Sequence, residues 1–215
     1  MRIVIPADDA GPFEAETGRT NQPKARSDQM AYTGQTISNP VSGERITFRK
    51  TSADTDGEYL EIDVELTPDG AVPGMHAHPQ QEERFQILSG NVRFRKGLKR
   101  IDAEAGDVVV VEPGQAHKFE NHGPEGAVMR VRVTPALEME RLFETAVGLA
   151  RDGRVTKKGM PKPLDLALFV SEFKNEVRGP GSPGWLQRAS LAPLAFIARR
   201  RGRAERYAPA RPAFA

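Results

Sequence analysis

From about Gln35 to Thr134 the chain is written in the period of a β-strand, in short runs broken by glycine and proline. Within Glu58–Leu66, Ile62, Val64 and Leu66 alternate with Glu61, Asp63 and Glu65. Such alternation buries one face of a strand and wets the other. Strand-like composition is also found at Thr36–Ser38, Arg45–Thr51, Phe85–Leu88, Val92–Arg95, Lys99–Asp102, Val108–Val111, His117–Asn121 and Val128–Thr134. Turn clusters such as NPVSGE and SADTDG separate them. Many short strands at regular spacing predict a sandwich or barrel.

After Thr134 the period switches. Thr134 is expected to cap a helix with Pro135 at its first position. Met139, Leu142, Phe143, Ala146 and Leu149 then form one apolar stripe that ends near Gly153. A second helix is expected from Leu164 to Arg178, with Leu166, Phe169, Val170 and Phe173 facing inward. A third, Trp185–Arg201, should be kinked or interrupted at Pro193. The expected organisation is an N-terminal arm over residues 1–34, a β-barrel over 35–134, a helical extension over 135–198 and a basic tail over 199–215. Within the arm, only Ile3–Ile5 has the composition of a strand.

A chain of 215 residues suits one domain with extensions. It has no cysteine, so a metal would be held by nitrogen and oxygen alone. Of its 31 basic residues, six arginines fall beyond residue 198, against one acid, Glu205. The body is therefore mildly acidic, which argues against a nucleic-acid-binding surface. No stretch has the length of a membrane span, and the N-terminus has no apolar core of signal length. A cytoplasmic protein is the expectation.

Three of the four histidines fall into one pattern. His76 and His78 are two residues apart, and at the end of a strand they would point to the same side. Glu83 follows closely, and His117 lies on a later strand. Glu83 shares a face with Phe85 and Ile87, and His117 with Phe119. A carboxylate among apolar neighbours is costly unless paired or bound to metal. Three imidazoles and one carboxylate would close most of a coordination shell and leave one or two positions open. Fe, Mn, Ni, Cu and Zn all suit such a set. His122, beside Gly123-Pro124, reads as a turn residue. Gln81 and Glu82 are expected to face solvent, Arg84 to point away from the ligand face, and Phe85, Phe94 and Phe119 to line the barrel.

In full the two segments read Gly70-x5-His76-x-His78-x4-Glu83-x6-Gly90 and Gly106-x7-Gly114-x2-His117-x3-Asn121. They resemble the two motifs of the cupin family, over roughly residues 45–134. The resemblance implies a mainly β fold, a cupin-type double-stranded β-helix (jelly-roll) barrel, followed here by two to three C-terminal α-helices. It implies that His76, His78, Glu83 and His117 occupy the four metal positions, and that the protein is a homodimer. Glu112 stands where the family's second motif usually has proline, although Pro113-Gly114 preserves the turn. The N-terminal arm and the helices resemble a group of bacterial single-domain cupins.

For function, the resemblance implies a metal-dependent dioxygenase-type oxidoreductase acting on a small organic molecule. Glu83 would be both ligand and the group that accepts a substrate proton. Two alternatives stay open on the same scaffold: a non-redox isomerase, lyase or decarboxylase, and a non-enzymatic small-molecule-binding cupin. No helix-turn-helix segment precedes the barrel, which counts against a regulator. The C-terminal segment, with Trp185, Leu186, Phe196 and Ile197 before an arginine run, has two readings. It could touch a membrane surface. The preferred reading is a helix packed on the barrel or on a dimer partner, ending in a solvated tail.

Overall fold

A computed structural model describes residues 31–181 and 183–207. The expected strand at Ile3–Ile5 and nearly all of the expected arm lie outside them.

Among the described residues nine strands come first: β1 Thr36–Asn39, β2 Glu44–Lys50, β3 Leu60–Leu66, β4 Glu82–Ser89, β5 Asn91–Lys96, β6 Lys99–Glu104, β7 Val108–Val111, β8 His117–Asn121 and β9 Ala127–Thr134. Three helices follow: α1 Met139–Arg151, α2 Pro163–Glu172 and α3 Gly184–Arg200. The strands form two antiparallel sheets, β1-β2-β3-β9-β4-β7 and β6-β5-β8. This mainly β architecture with a C-terminal helical run agrees with the jelly-roll expectation.

Register explains the core. Ile62 pairs with Phe48 and Val131, Val131 with Phe85, and Phe85 with Val109. This row crosses five strands, and all of its side chains are buried. From the small sheet Val92, Phe94, Ala103 and Phe119 complete the interior. The rings of Phe85, Phe94 and Phe119 lie 5.1–5.7 Å apart at tilted angles. The opposite face of the large sheet carries cross-strand charge pairs. Asp63 meets Arg49 at 2.6 Å and Arg130 at 2.8 Å, and Glu61 meets Arg132 at 2.8 Å. The turn from β4 to β5 requires glycine. Gly90 sits at φ +78°, and a Cβ there would come within 2.8 Å of the Ala127 backbone.

The helices depart from expectation in three places. Thr134 does not cap α1. It is the last residue of β9, paired with Glu82, and the chain turns through Leu137 at φ +47° before Met139 opens the helix. The apolar stripe itself is as expected, with Met139, Leu142 and Leu149 buried. Helix α2 stops at Glu172 rather than Arg178, because the chain beyond Phe173 leaves to pair with Ala77. Helix α3 runs unbroken through Pro193. The carbonyl that loses its partner there belongs to Ala189, an exposed residue whose backbone water can satisfy. The tail is not simply solvated. Tyr207 is buried, and its hydroxyl donates to the Asp165 carbonyl at 2.9 Å.

Candidate metal centre

His76 and His78 do not sit on a regular strand. They lie on the segment between β3 and β4, held by isolated bridges of His76 to His117 and of Ala77 to Arg178. The backbones of His76 and His117 exchange both hydrogen bonds, at 3.0 and 2.8 Å. This places an imidazole of the loop directly beside an imidazole of β8. Glu83 enters from β4, on the face shared with Phe85 and Ile87, as alternation requires.

The three imidazoles form one cluster, with ring centroids 4.4–5.5 Å apart. One ring nitrogen from each lies within 4.8 Å of the others. Every Nδ1 faces a backbone carbonyl: Gly74 at 3.3 Å for His76, Glu176 at 2.5 Å for His78 and Gln115 at 3.1 Å for His117. Each ring is therefore set with Nδ1–H donating outward and the Nε2 lone pair turned inward. Nε2 of His78, Nε2 of His117 and Oε2 of Glu83 are buried and lack a hydrogen-bond partner among the described residues. Glu83 comes within 2.7 Å of His117 and 3.4 Å of His78, so it touches two of the three rings. The 2.7 Å approach lacks hydrogen-bond alignment, and it is an ion pair only when His117 carries a proton on Nε2, which a bound metal would replace. Lone pairs converging in a buried place without donors are the arrangement a divalent cation satisfies.

The charges shift accordingly. Burial, with His117 and His78 adding to it, lowers His76 to about 3. Burial alone would raise Glu83, but the surrounding imidazoles outweigh it and hold the carboxylate down at about 2. Burial pushes His117 down, yet the Glu83 carboxylate overrides it and the net direction is upward. A neutral His76 beside an ionised Glu83 is the protonation a metal needs.

The cluster opens into a cavity of about 450 Å³. Its walls are mostly apolar, from Ile62, Phe85, Phe119 and Val131 of the sheets to Leu142 and Phe143 of α1. Phe94 is fully buried behind them and does not reach the cavity.

Three contributions were not legible in sequence. Gln81, expected to face solvent, is completely buried and donates to the carbonyls of Pro135 and Ala136, so it ties the ligand loop to the entry of α1. Glu176 and Arg178, expected inside a helix, buttress the ligand loop through backbone bonds to His78 and Ala77. Glu44 lines the cavity, where burial raises its carboxyl to about 7. The alternation Glu44, Ile46, Phe48 would have placed Glu44 inward had the strand been started one residue earlier. Arg84 and His122 lie away from the cluster as expected, with His122 exposed beside Arg93.

Among known proteins, the family model described as a cupin domain matches residues 62–133. An oxalate-binding protein of Thermotoga maritima is 36% identical over 56 residues, which are 26% of this chain and 46% of that protein. The chain thus matches less than half the length of this curated relative. A crystal structure described as a predicted oxalate decarboxylase, also from Thermotoga maritima, has 24% identity and a TM-score of 0.43, covering 53% of this chain and 99% of that one. A conserved protein with a double-stranded β-helix domain from Klebsiella pneumoniae has 18% identity and a TM-score of 0.39, covering 54% and 93%. The matched span begins inside β3, ends inside β9, and holds all three clustered histidines together with Glu83, so residues 62–133 of the chain carry a cupin domain.

Proposed function

We propose that this protein is a metal-dependent oxidoreductase of dioxygenase type, acting on a small organic molecule in the cavity beside His76, His78, Glu83 and His117. The observation that carries the reading is the set of three Nε2 lone pairs turned inward, each ring fixed from behind by a carbonyl. Glu83 is proposed as the fourth ligand. A redox-active divalent ion held there would supply open coordination positions and the electron exchange that dioxygen chemistry needs.

The protein's own contribution is positional and electrostatic. The imidazoles hold fixed geometry, and Glu83 is proposed as the carboxylate that accepts a substrate proton. Glu44 is a second carboxyl in the same cavity, with a proton available near neutral pH. The apolar walls exclude water and favour a substrate with a hydrophobic body. The binding and decarboxylation of oxalate named for two similar proteins belong to the alternative, non-redox reading. A cavity of about 450 Å³ with mostly apolar walls is large for so small a dianion, which disfavours that reading here.

The test is reconstitution with Fe(II), Mn(II), Ni(II), Cu(II) or Zn(II), followed by elemental analysis and oxygen-electrode assays with catechols and enediols. Oxygen uptake with Fe or Cu is expected. His76→Ala and His117→Ala should each lower metal content at least ~10-fold. Unchanged metal in both would refute the ligand assignment. Turnover with Zn or Mn and no oxygen consumed would replace the oxidoreductase by a non-redox enzyme.

A further inference from the structure

Helix α3 turns Trp185, Leu186, Phe196 and Ile197 away from the described body of the protein. It packs on the body through Ala195 and Ala198, with Leu191 and Leu194 half-buried. Trp185 is 65% exposed, Phe196 57%, Leu186 46% and Ile197 40%. At about 100° per residue, these four fall in an arc of roughly 120°, on the side opposite Ala198. Ala189 and Pro193, also exposed, fill the same arc, so the apolar surface is continuous along the helix. Single exposed apolar residues are ordinary, but a contiguous stripe on one helix face marks a contact surface.

The charges carried by the helix have one sign. The helix contains no Asp or Glu, while Arg188, Arg199 and Arg200 belong to it and Arg201 follows. Arg200 lies inside the arc, its guanidinium 5.0 Å from the centre of the Phe196 ring. That is how an arginine covers apolar surface while keeping its charge at a polar boundary. A second copy of this chain fits the face poorly. A symmetric interface sets the same patch against itself and would bring these arginines together with no acid from either helix.

We propose that the outer face of α3 docks on an anionic lipid surface. Trp185, Leu186, Phe196 and Ile197 would enter the boundary between headgroups and acyl chains, and Arg199, Arg200 and Arg201 would meet the lipid phosphates. Docking in this way leaves the metal centre's ligands untouched.

The experiment is sedimentation of the full chain with phosphatidylcholine vesicles, with and without phosphatidylglycerol. Binding to the anionic vesicles is expected to exceed binding to the zwitterionic ones by at least ~10-fold and to fall with salt. Trp185→Ser/Phe196→Ser and Arg200→Glu/Arg201→Glu should each reduce it by at least ~10-fold. All four side chains are exposed, so thermal unfolding should match the parent protein and exclude misfolding as the cause. Absence of binding to anionic vesicles overturns the proposal, as does binding that neither variant changes. Light scattering that shows a dimer, dissociated by Trp185→Ser/Phe196→Ser, also overturns it and assigns the face to a second copy.

Discussion

The behaviour of single residues follows from where alternation places them. Glu44 shares the inner face of β2 with Ile46 and Phe48, and burial there raises its carboxyl to about 7. Its folded pKa therefore lies above the ordinary carboxyl value of about 4.5. The native state holds the extra proton between these values, so stability is full below the unfolded pKa and declines as pH rises through about 7. Glu44→Gln should flatten that slope and, at pH above 7, raise stability by roughly 1–3 kcal/mol. Urea unfolding of both proteins on either side of pH 7 checks this. An identical pH slope in the variant would show that Glu44 keeps an ordinary pKa. The aligned site residues teach a related lesson. Glu83 and His117 can be read from alternation alone, whereas the burial of Gln81 cannot. Its burial depends on the Pro135 and Ala136 carbonyls, which are distant in sequence.

Among elements, the most consequential is the stretch after α2. Helix propensity would carry α2 on to Arg178, but the backbone of Arg178 exchanges two hydrogen bonds with Ala77, at 2.9 Å each. Two such bonds, together with the Glu176 carbonyl on His78, outweigh one further helical turn. The helical extension thus fixes the orientation of a histidine in the β-domain. Arg178→Pro removes the N–H that bonds to Ala77 without altering a proposed ligand. It is expected to weaken metal affinity about 10- to 100-fold. Competition titration with a chromogenic chelator measures it, and Arg178→Ala, which keeps the N–H, should weaken affinity much less. Equal losses in both variants would locate the effect in the guanidinium instead. The strands show the opposite balance. Their positions were readable because each carries its own period and its own turn residues, and observed ends differ from expected ones by no more than a few residues.

At the scale of the molecule, the helices and the chain beyond them are stitched to one another by a buried carboxylate. Asp165 is fully buried and is met by Arg154 and, at 2.6 Å, by Arg203. The Asp165 backbone carbonyl also receives the Tyr207 hydroxyl. Removing the carboxylate leaves two partly buried guanidinium groups without their partner. Asp165→Ala should cost about 2–4 kcal/mol, less than a fully buried pair because both arginines reach solvent. Thermal unfolding should detect it, together with faster proteolysis of the segment around Tyr207. An unchanged melting temperature would mean that this segment is held by apolar contact alone.

Local pattern in the chain was enough to set the order of β then α, the interior face of the strands, and three imidazoles with a carboxylate able to meet. These follow from local period and from residue chemistry, which need no knowledge of neighbours. Contacts between distant segments set where α1 starts, that α2 stops early, which carbonyls lock the imidazole rings, and that α3 leaves its aromatic face uncovered among the described residues. Each of these rests on pairing or packing between segments far apart in the chain, where a hydrogen bond or a buried surface outweighs the local preference of the residues involved.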